Sequence, residues 1–131
     1  RGTVDATRRA LEAPLSTPIW LAMVWQESAG DPGAVGGIGE KGLLQLTQGA
    51  LDDVRALDNA THLPKRVADL TPAQNVEAGM RYARINNRRL DGAASQVDLV
   101  RMHNGGPNGH TLDATKPYAD RVFSRAERLR A

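Results

Sequence analysis

The run Ile19-Trp20-Leu21-Ala22-Met23-Val24 constrains this chain more than any other feature. It follows Ser16-Thr17-Pro18, a helix-start signal in which Thr17 would cap and Pro18 would take the first helical position. A helix that is apolar on every side has no face to offer to water, so other elements must surround it. The run is far shorter than the roughly 20 residues needed to cross a bilayer, and no membrane span is expected elsewhere in the chain. With 131 residues and no linker or internal repeat, the sequence reads as a single domain over residues 1–131. Trp20, Trp25, Tyr82, Tyr118 and Phe123 are its only aromatic residues, so aliphatic side chains must make the core. Alanine is abundant and β-branched residues seldom cluster, which favours helices.

The flanking segments supply the wrapping. Val4 to Ala13 reads as a short peripheral helix that stops before Pro14. The central helix is expected to end in Trp25-Gln26-Glu27-Ser28-Ala29-Gly30, with Gly30 as its C-terminal cap. Gly30 to Gly42 hold six glycines and Pro32, a composition that excludes helix and points to a small glycine-rich β-hairpin. Thr47 would cap a helix with Leu51, Val54 and Leu57 inward, and Asn59 to Leu70 is a connector broken by Pro64. Thr71-Pro72-Ala73-Gln74 is a capping box, opening a helix with Val76, Met80, Ala83 and Leu90 on one stripe. A helix from about Ala93 to Met102 stops in Asn104-Gly105-Gly106-Pro107, and a last one starts near Pro117 with Tyr118, Val122 and Leu129 inward. The expected fold is mainly α, about six helices with one small hairpin.

Several chemistries are excluded. Without cysteine there is no disulfide, Cys-ligated zinc or thiol nucleophile. His62, His103 and His110 lack zinc-site spacing, the serines lack a nucleophile elbow, and no Walker pattern occurs. No metal or cofactor is therefore implied. The net charge is only +2, although fourteen of the seventeen basic residues are arginines. Arg81, Arg84, Arg88 and Arg89, and again Arg121, Arg125, Arg128 and Arg130, fall at helical spacing and read as solvated faces, with contact to an acidic polymer as the alternative. So few aromatics argue against a nucleic-acid partner.

Glu27 is the residue with the most chemical promise. It ends the most apolar helix in the chain, beside the glycine-rich segment. Apolar surroundings and a helix C-terminus both favour the protonated form of a carboxyl, which is the form a general acid for glycosidic cleavage must hold. The plainer alternative is an acid on the exposed side of the last turn.

The neighbouring motifs carry a resemblance. Glu27-Ser28-Ala29-Gly30 and Gly42-Leu43-Leu44-Gln45 look like the Glu-Ser-x-Gly and Gly-Leu-Met-Gln motifs of the soluble lytic transglycosylase catalytic domain. Asn75 to Tyr82 is similar to its Asn-x-x-x-Gly-x-x-Tyr helix, Met102-His103-Asn104-Gly105-Gly106-Pro107 to its Ala-Tyr-Asn-Ala-Gly-Pro motif, and Tyr118 to Val122 to its terminal Tyr-x-x-x-Val. Five motifs occur in the family's order, from about Ile19 to Phe123. The resemblance implies a goose-lysozyme-like fold and cleavage of the β-1,4 bond between N-acetylmuramic acid and N-acetylglucosamine in peptidoglycan. It implies Glu27 as acid and then base, giving a 1,6-anhydro product with help from the 2-acetamido group. Ser28, Leu44, Gln45, His103, Asn104 and Tyr118 would bind substrate, with Tyr118 also orienting Glu27. The place of action would be the periplasm, the exterior or a virion. The chain starts with Arg rather than Met, as expected of a processed protein or of part of a larger polypeptide, phage particle or secretion machine.

The sequence departs from the family pattern in three places. His103 stands where Tyr is usual, glycine replaces a loop serine near Gly36, and Glu40 occupies a position usually small. Glu40 is either a second catalytic carboxylate, giving a hydrolase of the lysozyme or chitinase kind, or a fastener of the glycine-rich segment. A non-catalytic glycan-binding or structural module is the reading from a different class.

Overall fold

Helix α2, Thr17–Ser28, runs through the middle of the structure, a computed structural model that describes residues 2–130. Ile19, Trp20, Ala22 and Met23 are at most 1% exposed. Burial of each large side chain among them contributes roughly 1.5–3 kcal/mol. Helix α1, Gly2–Leu11, and helix α6, Lys116–Arg130, pack against α2. The cap of α2 is displaced from expectation: Ser16 is the N-cap, and Thr17 lies within the helix. The Thr17 hydroxyl is drawn away to α1, donating to Asp5 Oδ1 at 2.6 Å and accepting from Arg8 Nε at 2.8 Å. At the other end Ala29, with φ +53°, takes the left-handed cap position expected of Gly30.

Helices α3 (Gln48–Leu57), α4 (Pro72–Arg89) and α5 (Gln96–Gly105) complete the set of six α-helices among the described residues. The Thr47 cap and the Thr71–Gln74 capping box form as expected. Helix α5 starts later than expected because Ser95 and Asp98 form a reciprocal capping box. Leu57 and Leu129 are exposed rather than inward, since each sits in the final turn of its helix, outside both apolar clusters. None of the described helices is long and apolar enough to cross a membrane.

Helix α4 divides the interior. Val76, Met80 and Ala83 join the cluster around α2, whereas Ala78, Tyr82 and Ile85 join a second one with Leu51, Val54, Leu63 and Val67. The expected hairpin is not formed as paired strands. Only isolated antiparallel bridges appear, Val35 with Lys41 and Lys41 with Leu46. So many glycines leave the segment few side chains to pack across a ladder.

The arginines of α4 are not simply solvated. Arg81 and Arg88 both bond the carboxylate of Asp58, a residue only 8% exposed, and Arg89 bonds Asp53 at 2.8 Å. They clamp the end of α3 onto α4. On α6, Arg121, Arg128 and Arg130 are exposed as expected, while Arg125 lies 4.9 Å from the centre of the Trp25 ring. Removing one partner from a buried ionic cluster leaves its charges uncompensated. Asp58→Ala is therefore expected to lower the unfolding free energy by about 3 kcal/mol in a urea titration, with Arg128→Ala a near-neutral control.

Candidate active site

Glu27 lies in the last turn of α2, and its side chain is 16% exposed. It is not an unpartnered carboxyl in an oily setting. Tyr118 of α6 donates its hydroxyl to Glu27 Oε2 at 3.0 Å, and His103 Nε2 of α5 lies 3.3 Å from the same oxygen. Both groups converge on Oε2. Among the described residues, Oε1 has no protein donor.

His103 is fixed by a second bond, from Nε2 to the carbonyl of Leu44 at 2.8 Å. A carbonyl only accepts, so the ring hydrogen sits on Nε2. Nδ1 is buried without a partner, and the imidazole is 5% exposed. Burial opposes charge on the ring, but the Glu27 hydrogen bond, the Glu27 charge and the Leu44 carbonyl together hold its pKa above the ordinary 6.5. The Tyr118 phenol is pushed well above its ordinary 10.0, first by burial and then by the Glu27 charge and hydrogen bond. It stays a donor at any working pH.

The glycine-rich segment is held by side chains from outside and within. Asn75 of α4 donates from Nδ2 to the Lys41 carbonyl and accepts at Oδ1 from the Leu44 amide, both at 2.9 Å. Gly42, at φ +84°, permits this approach, since a Cβ there would lie 2.4 Å from Asn75 Nδ2. Gln45 donates from Nε2 to the carbonyls of Ala34 and Gly42. Ser28 Oγ lies 2.9 Å from the Leu43 carbonyl and joins the end of α2 to the same segment. Glu40 accepts from the Ile38 amide at 3.1 Å, its side chain filling the space a Cβ on Gly36 would take.

A cleft of about 260 Å³ lies beside this centre, with Ile38, Gln45, Thr47, Tyr82, His103 and Asn104 in its walls. Glu27 adjoins the cleft through His103 and is not itself in the lining. Among the residues expected from sequence, Glu27, His103 and Tyr118 come together, and Gln45 and Asn104 face the cleft. Leu44 does not: its 0% exposure keeps its side chain out of the cleft, and it serves through its carbonyl and amide. Ser28 likewise spends its hydroxyl on backbone carbonyls. Sequence reasoning missed the anchoring role of Asn75 and the cleft positions of Ile38 and Tyr82. An amide buried one turn after a capping box was the available signal for Asn75.

The family described as "Transglycosylase SLT domain" matches residues 7–120. The chain belongs to that family. Among solved structures, the SLT domain is similar to an inactive Glu-to-Gln variant of the lytic transglycosylase Slt from Pseudomonas aeruginosa, with a TM-score of 0.76 at 22% identity. The match covers 96% of this chain but 23% of that enzyme, so this SLT domain spans under a quarter of its relative's length. That likeness shows a shared helical fold. A search of curated proteins finds no match.

Because Asn75 satisfies both the Leu44 amide and the Lys41 carbonyl, Asn75→Ala strands two backbone groups. The expected cost is about 2 kcal/mol, read by denaturant titration, with faster hydrogen exchange at the Leu44 amide.

Proposed function

We propose that this SLT domain cleaves the β-1,4 bond between N-acetylmuramic acid and N-acetylglucosamine in peptidoglycan, leaving a 1,6-anhydro end. The observation that carries this reading is the asymmetry of Glu27: Oε2 is held by Tyr118 and approached by His103, while Oε1 is left without a protein donor. The transferable proton then rides on Oε1. In the acid step Glu27 gives it to the leaving glycosidic oxygen as the bond to C1 breaks. In the base step the carboxylate takes the proton of the muramic 6-hydroxyl while that oxygen closes onto C1. No water is consumed, and Glu27 ends as it began. The sugar's 2-acetamido group stabilises C1 between the steps, so no enzyme nucleophile is needed. Gln45 has its amide nitrogen engaged and would accept a sugar N–H or O–H through Oε1, whereas Asn104 has its whole amide for the opposite wall. The Slt relative being inactive as a Glu-to-Gln variant fits a carboxyl at the centre of this chemistry.

Glu40 enters as the fastener of the loop. An inverting hydrolase needs a second carboxylate roughly 6.5–9.5 Å from the first and free to activate water; the hydrogen bond that Glu40 accepts from the Ile38 amide through Oε1 supports the fastener role instead. Cell-wall peptidoglycan as substrate puts the site of action in the periplasm, outside the cell or on a virion.

On purified sacculi, Glu27→Gln is expected to lower turnover about 10³-fold with the fold retained by circular dichroism. Mass spectrometry should show products lighter by one water than reducing-end sugars. Glu40→Gln should keep that product, with turnover reduced only by loosening of the loop. Reducing ends from the wild type, or an active Glu27→Gln, would overturn the reading.

A further inference from the structure

We infer that the outer face of α2, where Trp25 meets α6, is a docking surface for an acidic amphipathic helix of another protein. The sequence makes α2 apolar on every side, yet the fold covers only part of it. Leu21, Val24 and Trp25 share one face at helical spacing. Leu21 and Val24 are half-buried, and Trp25 is 50% exposed. With Arg125 and Leu129 of α6, Leu21 and Trp25 wall a slot of about 250 Å³. Leu21 also lines a second hollow of about 450 Å³, together with Val24, Leu43 and Val76. Two apolar hollows that share a wall suit large side chains spaced along one stripe of a helix.

Charge selects the partner. The arginines of α4 are consumed within the fold, Arg81 and Arg88 on Asp58 and Arg89 on Asp53. Arg121, Arg125 and Arg128 of α6 bond no carboxylate among the described residues, where Arg130 pairs with Glu127. Their helical spacing places them on one flank of α6, with Leu129 one turn beyond Arg125. Arg125 is already oriented. Its guanidinium lies 4.9 Å from the centre of the Trp25 ring, so its face is spent on the indole and its N–H edge is open to a carboxylate. A helix that seats an apolar side chain in the slot thus carries its neighbouring Glu or Asp to a waiting receptor. The other occupants fit less well. A two-fold contact with a second copy would set the arginine row against itself. A lipid surface takes up side chains that protrude, whereas Trp25 and Leu129 wall a concavity. The slot and the cleft beside Glu27 have no lining residue in common, so docking here is independent of whether the domain cleaves peptidoglycan.

The other tryptophan, Trp20, is 1% exposed, so tryptophan emission reports on Trp25. The probe is a synthetic helical peptide of about 18 residues with leucine along one face and glutamate elsewhere, titrated into the domain. The emission should shift to the blue and saturate. Leu129→Asp and Arg125→Ala should each weaken the affinity about tenfold by calorimetry, with circular dichroism unchanged. A peptide with lysine in place of glutamate should bind about tenfold more weakly still than the glutamate form binds the wild type. No shift at about 1 mM peptide overturns the inference. So does an affinity that Leu129→Asp leaves intact, or equal binding of the lysine peptide or of polyglutamate. A blue shift with phosphatidylglycerol vesicles and none with the peptide would make the face a membrane contact instead. Concentration-dependent dimers in sedimentation that Leu129→Asp abolishes would make it a contact between copies.

Discussion

A carboxyl at the end of an apolar helix is the constraint around which this molecule is arranged. Ile19, Trp20, Ala22 and Met23 of α2 are buried and apolar and offer Glu27 no donor, so donors have to come from elsewhere in the chain. Tyr118 from α6 supplies one, and His103 from α5 stands within reach as the other. Sequence separation is large in both cases, 91 residues for the Tyr118 bond. The site therefore exists only once α2, α5 and α6 have packed, and the same apolar contacts that make the core fix the direction in which Glu27 faces.

A second set of bonds does for the backbone what these do for the carboxyl. The segment from Gly30 to Gly42 has too little apolar mass to hold itself. Asn75, Gln45, Glu40 and Ser28 instead give it hydrogen bonds to particular main-chain groups. Leu44 is where the two systems meet, since its amide is bound by Asn75 and its carbonyl by His103. A disturbance in the loop is thereby passed to the ring beside Glu27.

Much of this was legible in the residues, for identifiable reasons. The helices announced themselves through local chemistry: the apolar run, the Thr71–Gln74 box and the Thr47 cap each act within a few residues. What failed was decided at a distance. Thr17 looks like a cap until Asp5 and Arg8 claim its hydroxyl, and the α4 arginines look solvated until Asp58 is folded beneath them. The motif pattern already implies that Tyr118 orients Glu27, yet the arrival of His103 at the same carboxylate oxygen has no sequence signature. Leu44 shows the converse: its place in a motif suggested a substrate contact, while the need served is that of its own peptide groups.

Helix α4 has a mechanical consequence. It gives one flank to the cluster that carries Glu27, His103 and Tyr118 through their helices, and the other to the cluster beneath Thr47 and Leu46. Both banks of the groove are thus mounted on a single rod. Their spacing is set by the girth of that rod and its side chains rather than by a pivot between two lobes, so the trough has its width built in before anything enters it.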